Sequence, residues 1–231
     1  ITSIMVHQEN LICGGLTDWI YKLDFEGNIN YRNRIFGVPV FMDYADVVAY
    51  DAMELIVMFE DGTLTVLDEH GNELYTWFLG EMPVDLSSVD GDKDGYAEPL
   101  ILYQNGTFCL LDWGTEIWRE TYNGTPLGIH VEDIDADGLE DIIVAGDAGV
   151  DVFLPNGTLS WCIENLNISA IAAADIDNTF NGLEVITGLV NGSIVVLASN
   201  GSEIRMIDAE SERISDVVVV EDTIIYCAGN L

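Results

Sequence analysis

Two stretches of this sequence crowd carboxylates at spacings that suit a hard cation. The first reads Asp90-x-Asp92-x-Asp94-Gly95-x-x-Glu98, the second Asp133-x-Asp135-x-Asp137-Gly138-x-x-Asp141. Carboxylates at positions 1, 3, 5 and 9 of a tight loop can converge on one ion, and glycine at position 6 permits the sharp turn. The position-7 carbonyl, from Tyr96 or Leu139, can add a ligand. Calcium suits this all-oxygen set, because it takes roughly six to eight ligands in flexible geometry while magnesium demands a stricter octahedron. An EF-hand would need Glu at position 12 between two helices. That position is Ile101 or Val144, inside an apolar run. A solvated acidic turn is the plain alternative, but carboxylates packed this closely repel one another unless a cation is present.

A third copy is weaker. It runs Asp175-x-Asp177, an insertion, then Asn181-Gly182-x-Glu184, with its last acid displaced by one position. It reads either as a distorted site or as an empty one. An earlier stretch keeps only Asp43, Asp46, Asp51 and Glu54, without the spacing.

No catalytic constellation is visible. The histidines are His7, His70 and His130; His70 belongs to a polar turn, and His130 reads as a packed residue rather than a base. Cys13, Cys109, Cys162 and Cys227 lie far apart with no CxxC and no neighbouring histidine, which argues against zinc. Each sits in an apolar strand pattern, so buried free thiols are expected rather than two disulfides.

The elements that must position the acidic loops follow from an internal repeat. Leu23, Leu67, Leu111, Leu154 and Leu197 are spaced by 44, 44, 43 and 43 residues. Each leads into a turn with a glycine, at Gly27, Gly71, Gly114, Gly157 and Gly201. Four residues beyond each glycine stand Tyr31, Tyr75, Trp118, Trp161 and Arg205. Upstream, Asp61-Gly62-Thr63, Asn105-Gly106-Thr107 and Asn191-Gly192-Ser193 are strong hairpin turns. Each repeat therefore holds four antiparallel strands, and no amphipathic helix is found. A small sheet of this kind buries its faces by repeating around an axis, which predicts an all-β fold, a β-propeller. A flat β-solenoid, with its shorter period, is the rival. The expected blades are 1–39, 40–83, 84–126, 127–167 and 168–212. A half-blade over 213–231 stops at Asn230, where another turn belongs. Five and a half blades form one propeller domain or a fragment of one, in which the native chain continues or strands from elsewhere complete the last blade.

The loop Asp133-Ile-Asp135-Ala-Asp137-Gly138-Leu-Glu-Asp141-Ile-Ile-Val, and with it Asp90–Glu98, resembles the FG-GAP repeat of integrin α-subunit propellers. Hairpins such as Leu67-Asp68-Glu-His-Gly71-Asn-Glu-Leu-Tyr75 are similar to the PQQ-like propeller repeat. The resemblance implies structural calcium that braces blade loops, and a role in adhesion or assembly outside the cell. Quinoprotein dehydrogenases tend to use adjacent cysteines, and this chain has no such pair.

Composition narrows the partners. Against 41 acidic residues stand 7 basic ones, a formal charge of −34 that repels nucleic acid and anionic membranes and favours cations or basic partners. No apolar run reaches the ~20 residues that span a bilayer. The chain opens at Ile1 without an initiator methionine, so a removed leader or longer N-terminal region is expected. Sequons at Asn105, Asn123, Asn156, Asn167, Asn191 and Asn200 fall in turns, where hairpin chemistry explains them and glycans would be tolerated. Weak calcium loops need an extracellular calcium level. The expected protein is an extracellular or cell-surface, non-enzymatic module binding a protein or glycan ligand, or neighbouring subunits that complete the last blade. The rivals are a propeller domain of a secreted polysaccharide-active enzyme and a structural subunit of a surface layer or filament.

Overall fold

Short β-branched runs separated by Asn-Gly and Asp-x-x-Gly turns have one cheap solution, the antiparallel meander, and the chain adopts it repeatedly. The computed structural model describes residues 2–7, 9–16, 18–48, 53–177, 179, 181–208, 212–220 and 223–229. Asp51 and Asn230, which the sequence reading invoked, lie outside them.

Among the described residues, twenty-two strands form five four-stranded sheets and one two-stranded sheet. The first sheet holds β1 (Ser3–His7), β2 (Asn10–Gly14), β3 (Trp19–Asp24) and β4 (Ile29–Arg34). The second holds β5 (Pro39–Ala45), β6 (Glu54–Phe59), β7 (Thr63–Leu67) and β8 (Glu73–Phe78). The third holds β9 (Pro83–Val89), β10 (Glu98–Tyr103), β11 (Thr107–Asp112) and β12 (Thr115–Thr121). The fourth holds β13 (Pro126–Glu132), β14 (Asp141–Gly146), β15 (Gly149–Phe153) and β16 (Leu159–Glu164). The fifth holds β17 (Ile168–Ala174), β18 (Glu184–Leu189), β19 (Ser193–Leu197) and β20 (Glu203–Asp208). The last pair is β21 (Ile214–Val220) with β22 (Thr223–Ala228). Strands follow one another in sequence order across every sheet. The sheets that open at Pro39, Pro83 and Pro126 each begin one residue before the boundary drawn from the repeat. Proline fits a strand's first residue, where no ladder N–H is needed.

The chain divides into two compact units, Ile1–Gln104 with Phe108–Arg119, and Asn105–Thr107 with Glu120–Leu231. In the first, Ile12 and Ile20 of one sheet pack on Leu55, Val57 and Leu67 of the next, and Ile56, Met58 and Leu64 pack on Ile101, Cys109 and Leu111. In the second, Ile143, Val150 and Val152 pack on Val185, Val195 and Leu197, and Ile186, Ile194 and Val196 pack on Ile214 and Val217. The second strands β6, β10, β14 and β18 are buried at every residue. Their sequences are accordingly continuous apolar runs rather than alternating ones. Fourth strands such as β16 alternate between exposed and half-buried residues.

The repeated glycine has two reasons to be glycine. Gly71 and Gly201 sit at φ of +79° and +81°, in the left-handed region. They also receive a ring from the preceding sheet: a Cβ would lie 2.9 Å from Tyr31 at Gly71 and 2.8 Å from Trp161 at Gly201. Trp161 Nε1 donates to the Ser199 carbonyl at 2.7 Å, fixing that contact. Tyr31 and Trp161 thus latch their sheets to the next. The second sheet differs, because Trp77 rather than Tyr75 meets Gly114 while Tyr75 stands edge-on to Trp113.

All four cysteines are free. Cys13 and Cys109 are buried, but Cys162 and Cys227 are exposed, contrary to the expectation of four buried thiols. The reason is position: β16 is an outer strand and β22 belongs to the two-stranded sheet, so an apolar strand pattern there does not imply cover on both sides.

Candidate metal centre

The two acidic loops are the same structure built twice. Ladder pairing closes at Val89↔Glu98 in one sheet and at Glu132↔Asp141 in the other, leaving residues 90–97 and 133–140 to turn back between adjacent strands. In the first loop Asp94 N–H donates to Asp90 Oδ1 at 3.2 Å and Asp92 Oδ1 at 3.1 Å, and Gly95 N–H donates to Asp90 Oδ2 at 3.1 Å. In the second, Asp137 N–H donates to Asp133 Oδ1 and Asp135 Oδ1, both at 3.1 Å, and Gly138 N–H donates to Asp133 Oδ2 at 2.9 Å. The N–H groups of Tyr96 and Leu139 donate to Asp94 and Asp137. The position-6 glycines have φ of +96° and +88°, as a sharp turn demands. Position 4 is left-handed too, at Lys93 (φ +66°) and Ala136 (φ +61°), which neither residue type announces.

The loops gather oxygen. Asp90, Asp92, Asp94 and Glu98 each place one carboxylate oxygen within 4.8 Å of the others, as do Asp133, Asp135 and Asp141. Asp137 stands outside that second set. An all-carboxylate, partly exposed cluster fits a hard divalent cation such as calcium and would not suit a soft metal. Electrostatics agree with that fit. Burial, and then the charges of Asp92, Asp90 and Asp94, push the Glu98 carboxyl up to about 7. Burial, and then chiefly Asp135, push Asp141 up to about 6. Both groups ionise less readily than free carboxyls, and a nearby positive charge would favour their ionised forms.

The final acid has a second duty that the sequence reading missed. Glu98 Oε2 accepts from Gly91 N–H at 2.9 Å, and Asp141 Oδ2 accepts from Ile134 N–H at 3.3 Å. Glu54 accepts from Val47 and Val48 N–H at 2.9 and 3.3 Å, and Glu184 from Ile176 and Asp177 N–H at 2.9 and 3.1 Å. All four acids open the second strand of their sheet and are at most 5 % exposed. They staple the loop backbone. The signal was available in the intervals Glu54, Glu98, Asp141 and Glu184, which follow the leucine repeat.

The third copy is a different object. Among the described residues, Asp175, Asp177 and Glu184 do not form a set of carboxylates within ligating distance. Asp177 Oδ1 is taken by Thr179, and Asn181 Nδ2 donates to the Asp135 carbonyl at 3.0 Å. Leu183 N–H donates to the Ile134 carbonyl at 2.8 Å, so this loop leans on its neighbour's backbone. Ala97 N–H bonds the Asp46 carbonyl in the same way. Glu184 Oε1 is buried with no hydrogen-bond partner.

The histidines stand apart from these loops. His70 is exposed, 3.7 Å from Glu69. His7 stacks on Tyr44 at 4.2 Å, and burial lowers its pKa, with the Lys22 ammonium acting in the same direction. His130 is half-buried on β13.

Five four-stranded antiparallel meanders in succession, each leaning on the next within its unit, define a β-propeller. Solved structures agree. BBS1N, crystallised in complex with ARL6DN, matches with a TM-score of 0.75 at 15 % identity, over 98 % of this chain and 75 % of its own. The Cps50 (Swd1) propeller domain of Myceliophteria thermophila matches at 0.69 and 13 % identity, over 98 % and 79 %. The V. cholerae biofilm matrix protein Bap1 matches at 0.62 and 15 % identity, over 88 % of this chain and 36 % of its own. No protein-family model matches the sequence, and no curated protein sequence matches it. Among the described residues, no helix is long and apolar enough to cross a membrane.

Proposed function

We propose that this propeller is a calcium-braced, non-enzymatic module of the extracellular space or cell surface that binds a protein or glycan ligand in adhesion or assembly. One observation carries the reading: two loops repeat the same hydrogen bonds around converging carboxylates, and the last acid of each is shifted upward by burial and by its neighbours' charges. The FG-GAP resemblance supports it, as does the fold shared with a biofilm matrix protein. The formal −34 favours a cation-rich setting and a basic ligand surface. Exposed sequon turns at Asn105, Asn156, Asn191 and Asn200 leave room for glycans.

In this role the Asp90 and Asp133 loops would hold the ion, and the ion would supply positive charge that favours the ionised forms of Glu98 and Asp141. Calorimetric calcium titration tests the reading. Two binding events are expected, with melting raised by calcium and lowered by chelator. Asp135→Ala should remove one event and leave the fold intact. Identical melting in calcium and chelator would overturn structural calcium.

A further inference from the structure

Six Asn-Gly pairs punctuate the chain, at Asn105, Asn123, Asn156, Asn181, Asn191 and Asn200. Such a pair carries its own reaction: the glycine nitrogen can attack the asparagine side-chain carbonyl, and no Cβ obstructs the approach. Five of the pairs are held out of that geometry. At Asn105, Asn156, Asn191 and Asn200 the side-chain Oδ1 accepts from the N–H two residues on, at 2.9–3.0 Å. This Asx turn fixes the side chain across its hairpin. The N–H groups of Gly157, Gly192 and Gly201 are also engaged, by the Leu154, Leu189 and Ala198 carbonyls. Asn181 is pinned differently, because its Nδ2 donates to the Asp135 carbonyl at 3.0 Å.

Asn123 breaks the pattern. The N–H two residues on, that of Thr125, donates to Asp147 Oδ1 at 2.6 Å instead of to Asn123. Asn123 is exposed, and among the described residues neither its side chain nor the Gly124 N–H has a hydrogen-bond partner. The backbone differs too. The glycines of the other five pairs have φ of +81° to +88°, whereas Gly124 lies outside the left-handed region.

We propose that Asn123 is a modification site at which the folded chain deamidates itself. The Gly124 nitrogen bonds to Asn123 Cγ, the Cγ–Nδ2 bond breaks, and ammonia leaves with the glycine proton. Water then opens the cyclic imide at either carbonyl, leaving an aspartyl or an isoaspartyl link. Both products set a new carboxylate near Asp147, and the isoaspartyl link adds a methylene to the backbone. The change falls next to Tyr122, whose hydroxyl accepts from the Ala148 and Gly149 N–H groups at 3.0 and 2.9 Å. Deamidation therefore strains a corner that this ring holds together.

The test incubates the native protein at mildly alkaline pH, then maps its peptides by mass and scores isoaspartyl links by enzymatic methylation. Asn123 should convert at least about tenfold faster than each of the other five, a barrier difference of about 1.4 kcal/mol. In urea the six rates should converge, because the hydrogen bonds that restrain five of them are lost. Asp147→Ala returns the Thr125 N–H to Asn123 and should slow conversion about fivefold, the worth of one hydrogen bond. Asp147→Asn, which keeps an acceptor for Thr125, should leave the rate unchanged. Equal rates in the folded protein, or a lead for Asn123 that persists undiminished in urea, would overturn the proposal. So would conversion in Asp147→Ala as fast as in Asp147→Asn.

Discussion

At the scale of the residue, the four acids that open second strands divide into two kinds. Among the described residues, Glu54 and Glu184 staple loops where no set of converging carboxylates stands, whereas Glu98 and Asp141 staple loops that gather one. Removing the Glu54 acceptor leaves two N–H groups short of a partner, each costing about 1–3 kcal/mol. Glu54→Ala should thus lower the urea midpoint by the same amount in calcium and in chelator. Glu54→Gln, which keeps an acceptor oxygen, should lose less. Glu98→Gln should abolish the calcium response of its own loop. Spacing of Asp and Gly made the two metal loops legible, because carboxylate convergence and a left-handed glycine are local demands. The staple was not legible as such, because its partners are backbone N–H groups that carry no residue signature. Cys162 and Cys227 misled for a related reason: a strand's pattern records its faces, not how many neighbours it has.

At the scale of the element, the hairpin turn and the preceding sheet's aromatic act together. Gly201→Ala meets both a left-handed φ and the Trp161 ring. It should therefore cost clearly more than the ~1 kcal/mol of an exposed left-handed glycine, read from denaturant melts. Trp161→Phe keeps much of the packing but loses the bond to the Ser199 carbonyl, and should cost about 1 kcal/mol or somewhat more. The sequence displays the glycine–aromatic interval plainly, yet the contact is a different one: Tyr31 and Trp161 each meet the glycine of the next repeat. Tyr75 shows the limit of the pattern, since its neighbour Trp77 takes the latch.

At the scale of the whole molecule, the two raised carboxyls set the response to pH. Glu98 moves from 4.5 to about 7 and Asp141 from 3.8 to about 6. A raised acid contributes stability below its ordinary value and loses it as pH climbs through the folded one. Without calcium, stability should fall between pH 4 and 7, approximately the interval these shifts span. In saturating calcium the slope should reverse, because ligation needs the ionised form. Thermal melts across that range with and without chelator measure both signs. The propeller class was legible from period and turns alone; the division into two compact units was not, because no change in the repeat marks the break near residues 104–120.

The bonds from Leu183 and Asn181 to the backbone of the Asp133 loop have a consequence for proteolysis. An ion seated at Asp133 would also splint the neighbouring loop that leans on it. Cleavage within residues 175–183 should then be slowed by calcium in the native chain and hastened by Asp135→Ala, although no residue in that stretch has been altered.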